Sequence, residues 1–524
     1  MPDNNNTATS TEKLLTSGIA PLLCNGLTGI EKESLRVDPA GHIARTPHPH
    51  ALGSPLTWPN VTTDYSEALI ELVTEPFARA TDTLDSLADI HSFVYQHLGD
   101  ETLWATSMPC ALEADERIPI ANYGTSNVGM MKHVYRRGLG WRYGRTMQTI
   151  SGVHCNYSIP TEFWPAWQQF RGDRGPLRAF TDAAYFGMLR NFQRLGWLVP
   201  YFFGASPAVC KSFFHGRDVP FREFDAHTYF EPYATSLRMS DIGYKNKNKA
   251  RIRVSYNGLS DYVRTLTHAT STPEPQYQAI GVKVNGEYRQ LNANILQIEN
   301  EFYTYIRPKQ PIRSGERAAL ALRDRGVLYA EVRALDVNAY EPVGVAADAL
   351  RFIEALLILC LLLESPPISA DEQAAINHNQ TVAARHGRDP ALQLERDATS
   401  VSLRDWAGEV LTRLAGICEV LDRGSESRAF AASLAARRAA LTDPERLPSA
   451  RVLADMRSRH ESFFEFGARL SREHREFFKT RRLTPGVQAE FARHARESLE
   501  KQAQIEAADH LSFDDYLAWY FSQT

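Results

Sequence analysis

The sequence predicts an α+β protein, and three observations carry that expectation. Segments alternating with a period of two recur between residues 29 and 336, several setting an acid on the same face as apolar residues. Helical stretches such as 82–98 and 181–195 interrupt them. Beyond about Val343 the pattern turns helical: Arg351–Glu364 reads as a buried helix closed by Pro366-Pro367, and 405–524 as Ala/Arg/Glu-rich helices broken near Asp443-Pro444 and Pro485.

Taken in order, residues 1–14 are polar and Asn/Thr-rich and read as a disordered tail, and 13–26 as a short helix. In Gly29–Val37 alternation puts Glu31, Glu33, Leu35 and Val37 on one face. Two carboxylates that close repel unless a cation or a proton lies between them. The plainer alternative is a solvated edge strand. The turn at 38–42 sends the chain back, and in 69–73 Leu69, Glu71 and Val73 share a face. Tyr135-Arg136-Arg137 falls on a helix within a Gly/Tyr/Arg-rich stretch. The spacing of Gly138, Gly140 and Gly144 does not match a dinucleotide fingerprint, and no P-loop motif occurs. Gly152–Ser158 reads as a strand aligning His154, Asn156 and Ser158, where His154 is either a ligand or a hydrogen-bonded core residue. Gly204 and Pro207 mark a loop, and the basic run 245–253 reads as a solvated or phosphate-facing loop. Residues 295–303 and 328–336 read as two further acid-bearing strands; in the second, Tyr329, Glu331, Arg333 and Leu335 share a face, with an internal Glu331–Arg333 salt bridge as the bland reading.

Composition narrows the function. A net charge of -4 and a pI near 6.5 give no basic field for nucleic acid or an anionic membrane. Six cysteines without a CxxC pair form neither a zinc framework nor a dense disulfide scaffold, which fits a reducing compartment. No signal-peptide core is visible, and the longest apolar run, 355–363, is too short to span a bilayer. A cytoplasmic protein is expected.

The strands of Glu31/Glu33, Glu71, His154 and Glu331 would each aim a metal ligand along an inward face. Hard oxygen donors suit Mg²⁺, and more than one such ion, Mn²⁺ being the other possibility, would bridge nucleotide phosphates during phosphoryl transfer. Arg333 would then offset charge on the migrating phosphoryl group, and Arg238 would clamp a carboxylate.

The blocks GIEKESLRV (29–37), TTDYSEALIELVT (62–74), YGTSN (123–127), MQTISGVHCNYS (147–158), FGASPAVC (203–210), ATSLRMSDIGY (234–244), LQIENEFY (296–303) and YAEVRALDVN (329–338) closely resemble the bacterial glutamate–cysteine ligases. That resemblance implies a glutamine-synthetase-like core at 15–345, a curved, mostly antiparallel sheet forming a cup with helices outside, and a helical portion at 346–524 packed on it. It implies an ATP-dependent ligation of the L-glutamate γ-carboxylate to the L-cysteine amine through γ-glutamyl phosphate, the first step of glutathione synthesis, with glutathione as feedback inhibitor. It implies Mg²⁺ held by Glu31, Glu33, Asp64, Glu71, His154 and Glu331, with Arg333 and Glu331 in the catalytic roles. Around the cysteine it places Tyr135, Leu139, Gln148, Arg238, Tyr244 and Tyr303, the last three on its carboxylate. The flanks of Leu139 differ from the family pattern, and Cys155 stands where an aromatic is usual. A monofunctional monomer or small homo-oligomer is expected, with no nucleic acid or membrane partner. The competing readings are another ATP-dependent γ-glutamyl amine ligase and a non-catalytic nucleotide-binding relative; loss of a metal carboxylate would mark the latter, and all are present.

Overall fold

Seven strands form one open antiparallel sheet at the centre of the molecule, which a computed structural model describes for residues 12–243, 254–423 and 427–523. Numbering only the strands of this sheet, they are β1 (Leu27–Val37), β2 (Val61–Thr63), β3 (Leu69–Val73), β4 (Thr102–Leu103), β5 (Gly152–Ser158), β6 (Ile306–Lys309) and β7 (Tyr329–Asp336). Their order is β6-β7-β5-β1-β3-β2, with β4 pairing the end of β1. The register sets Glu31 opposite His154, Glu33 opposite Glu71 and Glu331 opposite both Asn156 and Arg307. The acid-bearing strands inferred from alternation are therefore neighbours, and one face of the sheet collects their polar side chains.

The other face is mostly apolar. Ile30, Ile70, Leu72, Val153, Cys155 and Val332 pack there in one continuous core with the covering helices. Three of these are α1 (Ala80–Tyr95), α3 (Leu177–Leu195) and α4 (Ala347–Leu362). Helix α4 is buried along nearly its whole length, as its unbroken apolar run requires. On the polar side α2 (Asn127–Tyr143) starts at Ser126, whose hydroxyl accepts from the Gly129 amide. Helix α5 (Phe463–Thr480) opens with a capping box between Ser462 and Glu465, and α6 (Phe513–Ser522) lies against α2. Among the described residues no helix is long and apolar enough to cross a membrane.

Several expectations are corrected. Residues 12–15 form one helical turn and Ala20–Asn25 a 3₁₀ helix, in place of one helix over 13–26; residues 1–11 of the expected tail lie outside the described residues. Residues 295–303 are not a strand but an irregular segment with a 3₁₀ turn at Glu299–Glu301. The turn sends two buried acids to different partners: Glu299 pairs with Arg317 at 3.0 Å and Glu301 with Arg142 at 2.9 Å. A strand would have aimed both the same way. In β7 the register shifts between Val332 and Leu335, so Leu335 pairs with Val153 and joins the apolar core instead of sharing the face of Glu331. A single extra residue at a β-bulge inverts the alternation beyond it. Finally, Cys110 and Cys210 are bonded to each other across 100 residues, a pairing that the cysteine spacing did not suggest.

Candidate active site

The polar face of the sheet lines a pocket of about 350 Å³. His154 is its centre. Nδ1 lies 3.2 Å from Glu31 and 3.8 Å from Glu331, whereas Nε2 lies 3.9 Å from Glu33. Potential ligand atoms accordingly form two groups sharing this imidazole: Glu31, His154 and Glu331 on one side, Glu33, Glu71 and His154 on the other, the atoms of each within 4.8 Å of one another. Asp64 lines the same pocket but joins neither group.

The electrostatics differ between the two sides. Burial, with repulsion from Asp64, pushes the Glu33 carboxyl up to about 8. Burial and the charges of Glu31, Asp64 and Glu33 push Glu71 well above the ordinary range. Glu331 is held well below that range: burial opposes ionisation, but Lys309 at 3.4 Å and Arg333 at 3.0 Å outweigh it. A metal fits here by the chemistry of the donors. The Glu33/Glu71 side carries carboxylates whose mutual repulsion a cation would relieve, and Glu331 Oε2 is buried with no hydrogen-bond partner.

The ligands are aimed from outside the pocket. Asn156 donates to Glu31 Oε1 at 2.8 Å, and the Gly152 amide donates to Glu33 Oε2 at 2.7 Å. A Cβ on Gly152 would stand 2.0 Å from the Arg238 guanidinium, so only glycine lets Arg238 press against the strand that carries His154.

Of the acceptor-pocket residues, Tyr135, Leu139 and Tyr303 line the pocket with the metal candidates. Gln148 stands behind them, accepting from the Tyr303 hydroxyl at 3.3 Å. Arg238 does not line it; the guanidinium donates to the carbonyls of Leu335 and Arg333, each at 3.1 Å, and lies 3.8 Å from Asp336. Tyr244 and the basic run 245–253 lie outside the described residues.

Cationic side chains without an assigned role complete the wall: Lys132 and Arg136 from α2, and Arg307 and Lys309 from β6. Lys132 and Arg136 precede Tyr135 by three and follow it by one, on the helix face that also bears Leu139. Arg307 and Lys309 alternate on one face of β6 beside Glu331. Glu331 and Glu31 keep the Lys309 ammonium charged in spite of its burial.

Carboxylates in two groups around one imidazole, faced by guanidinium and ammonium groups, mark the pocket as a site for a polyanionic ligand whose donors could also hold a metal. The comparisons with known proteins narrow the class. The profile of the family described as Glutamate-cysteine ligase matches residues 12–383. The glutamate–cysteine ligase of Alcanivorax borkumensis is 47% identical over 513 residues, covering 97% of this chain and 98% of its own. That of Azotobacter vinelandii is 48% identical, covering 95% of each. Among solved structures, the glutamate–cysteine ligase of Francisella tularensis in complex with AMP superposes with a TM-score of 0.89 at 34% identity, over 95% of this chain and 97% of its own. A bifunctional glutathione synthetase from Pasteurella multocida shares the fold, with a TM-score of 0.74 at 24% identity over 58% of its length. The chain belongs to the glutamate–cysteine ligase family.

Proposed function

We propose that the protein joins the γ-carboxyl group of L-glutamate to the amine of L-cysteine, converting ATP to ADP and phosphate by way of γ-glutamyl phosphate. The observation that carries the reading is the pairing of two carboxylate groups around His154 with Arg333, Lys309, Arg136 and Lys132, within a chain of this family over nearly its whole length. Bound Mg²⁺, held by Glu31, His154 and Glu331 on one side and by Glu33 and Glu71 on the other with Asp64 nearby, would offset charge on the phosphate oxygens; Mn²⁺ would serve the same donors.

The residues of the chain do the rest. Arg333 and Lys309, both anchored by Glu331, receive phosphate oxygens and stabilise the charge that moves as the γ-phosphoryl group passes to the glutamate carboxylate. Lys132 and Arg136 offer two further cations to glutamate or to the acyl phosphate. Tyr135, Leu139 and Tyr303 form the wall that holds the cysteine, with Gln148 fixing the Tyr303 hydroxyl. Arg238, held against the strand carbonyls, supplies positive charge for the acceptor carboxylate together with Tyr244. The amine then displaces phosphate, and the walls keep water from the acyl phosphate until it does.

The proposal takes the protein as a cytoplasmic monomer or small homo-oligomer, and glutathione, which contains the product dipeptide, is the expected feedback ligand. The test is glutamate carrying heavy oxygen in its γ-carboxylate, incubated with the purified protein, ATP, Mg²⁺ and cysteine. Labelled phosphate in step with γ-glutamylcysteine, with ADP as the nucleotide product, is the expected result. AMP and pyrophosphate would mean an acyl adenylate, and a faster reaction with another amine would mean a different acceptor.

A further inference from the structure

A buried polar network joins the two elements that wall the acceptor side of the pocket. Tyr135 and Leu139 project from α2, whereas Tyr303 comes from the irregular segment 290–303. The backbone of that segment bonds back to the stretch before it, the Ile295 amide to the Thr272 carbonyl and the Leu296 amide to that of Ala269. Its attachment to α2 comes from side chains.

Glu301 is the hub and is fully buried. Its Oε1 accepts from Arg142 Nη1 at 2.9 Å and from the Tyr143 hydroxyl at 2.7 Å, both at the C-terminal end of α2. Its Oε2 accepts from the Gln297 backbone amide at 2.7 Å. Arg142 also donates from Nε to Gln290 Oε1 at 2.9 Å and from Nη2 to the Asn292 carbonyl at 2.8 Å. Gln297 makes a second tie: Nε2 donates to the Tyr135 carbonyl at 3.2 Å, and Oε1 accepts from the Leu291 amide at 3.0 Å. A Cβ at Gly138 would strike that side-chain amide, so glycine there lets Gln297 reach the helix backbone. The Tyr143 ring meets the Tyr303 ring edge to face, with 6.2 Å between centroids.

Packing alone would hold two such elements together, but apolar contacts are not directional and would let them slide. A buried ion pair with matched donors and acceptors tolerates one geometry, because a displacement strands a charge or an amide away from water. Glu301 stands two residues before Tyr303, and the Gln297 bond falls on the carbonyl of Tyr135 itself. We propose that Glu301, Arg142 and Gln297 are positioning residues that set the gap between Tyr135 and Tyr303, and with it the length of acceptor side chain that the pocket admits. The inference rests on the reading of cysteine as the acceptor. On that reading the fixed gap favours cysteine over homocysteine, its homologue with one more methylene.

The test is the ratio of kcat/KM for cysteine to that for homocysteine, measured on the full chain at saturating ATP, glutamate and Mg²⁺. One methylene in a close-fitting pocket is discriminated by about ten- to two-hundredfold, and the parent should lie in that range. Gln297→Met keeps the length of the side chain and removes its hydrogen bonds. It should lower the ratio about tenfold, chiefly through the KM values of the two thiols, and leave KM for ATP within about twofold. Tyr143→Phe deletes a single oxygen, leaves the Arg142–Glu301 pair whole and should lower the ratio about threefold, so it decides the matter if Gln297→Met does not fold. A merely structural role would lower melting temperature or turnover with both thiols alike. An unchanged ratio in the variants, or a parent without preference, overturns the proposal. A parent that ligates neither thiol overturns the reading of the acceptor, and the proposal with it.

Discussion

Replacing Glu331 by Gln tests the site where its interactions are densest. Glu331 Oε1 lies 3.0 Å from Arg333, 3.4 Å from Lys309 and 3.8 Å from His154, and Oε2 is buried without a partner. Glutamine keeps the shape and removes the charge. The folded protein loses charge-assisted contacts worth roughly 1.5–3 kcal/mol each, but it no longer buries a carboxylate, and the Arg333 and Lys309 side chains are 17% and 30% exposed, so water can take up their charge. The net stability loss should therefore be small, about 1–2 kcal/mol. Catalysis has no such compensation under the proposed mechanism, in which the same carboxylate anchors two cations that would face phosphate and would itself supply a metal ligand. Loss of one preorganised electrostatic element costs about 2.7–4 kcal/mol of transition-state stabilisation, or a hundred- to thousandfold in turnover. ADP release measured at saturating ATP, glutamate and cysteine, with Mg²⁺ raised to a plateau, separates the two effects, and a melting curve reports the first. Turnover within about threefold of the parent at plateau Mg²⁺ would refute the metal and phosphate roles given to Glu331. A collapse of stability together with activity would make it a structural ion pair.

Further outcomes follow from the same geometry. Arg238→Ala should raise the Michaelis constant for cysteine about ten- to a hundredfold and leave that for ATP unchanged, and Arg238→Lys should not restore it, since a single ammonium cannot span both carbonyls; equal weakening of both substrates would reduce Arg238 to a strut. Lys132→Met and Arg136→Met should each lower kcat/KM by about ten- to a hundredfold with unchanged melting temperature, and near-parent kinetics in both would remove α2 from the chemistry. Glu354, buried in α4 near the Tyr157 hydroxyl, is pushed up to about 8 by burial, so the folded state holds a proton there that the unfolded chain releases at a lower pH. Its contribution is fully present below the unfolded value near 4.5 and is lost as pH rises to about 8. Glu354→Gln should therefore gain melting temperature over the parent as pH rises through that window, and parallel curves would show that the carboxyl is not protonated in the fold.

The part of the site built on strands was legible because a two-residue period maps sequence directly onto a face. Glu31, Glu33, Glu71, His154 and Glu331 were read that way, and all line one pocket. Two further signals were present. On α2, Val128, Met131, Lys132, Tyr135, Arg136 and Leu139 recur at helical spacing, so Tyr135 and Leu139 already marked Lys132 and Arg136 as neighbours. Pro308 interrupts the alternation of Arg307 and Lys309 and argues against a strand, yet β6 is an edge strand, where proline is tolerated. The acids of 296–303 misled for a different reason. An alternating acid signals a face only if the backbone is extended, and there Arg317 and Arg142, distant in sequence, draw Glu299 and Glu301 into a turn.

The bulge in β7 explains what alternation could not show about the acceptor side. Up to Val332 the strand keeps the expected phase, with Glu331 and Arg333 at the pocket. After the extra residue Leu335 turns into the core, and the buried Asp336, which pairs with Gly152, faces Arg238 at 3.8 Å. Asp336 accepts from the Ser206 and Ser236 hydroxyls, the latter at 2.7 Å, and from the Ala205 amide at 2.8 Å. It thereby joins the GAS and ATS segments of two separate sequence blocks beneath one arginine. Had the strand kept its phase, Leu335 would stand where Asp336 does and Arg238 would lack its carboxylate neighbour. Asp336 thus holds Arg238 in place, and the irregularity in β7 gives one strand both the Glu331–Arg333 pair at the pocket and, past the bulge, a carboxylate beside Arg238, the two ends to which the proposed mechanism assigns phosphate and acceptor.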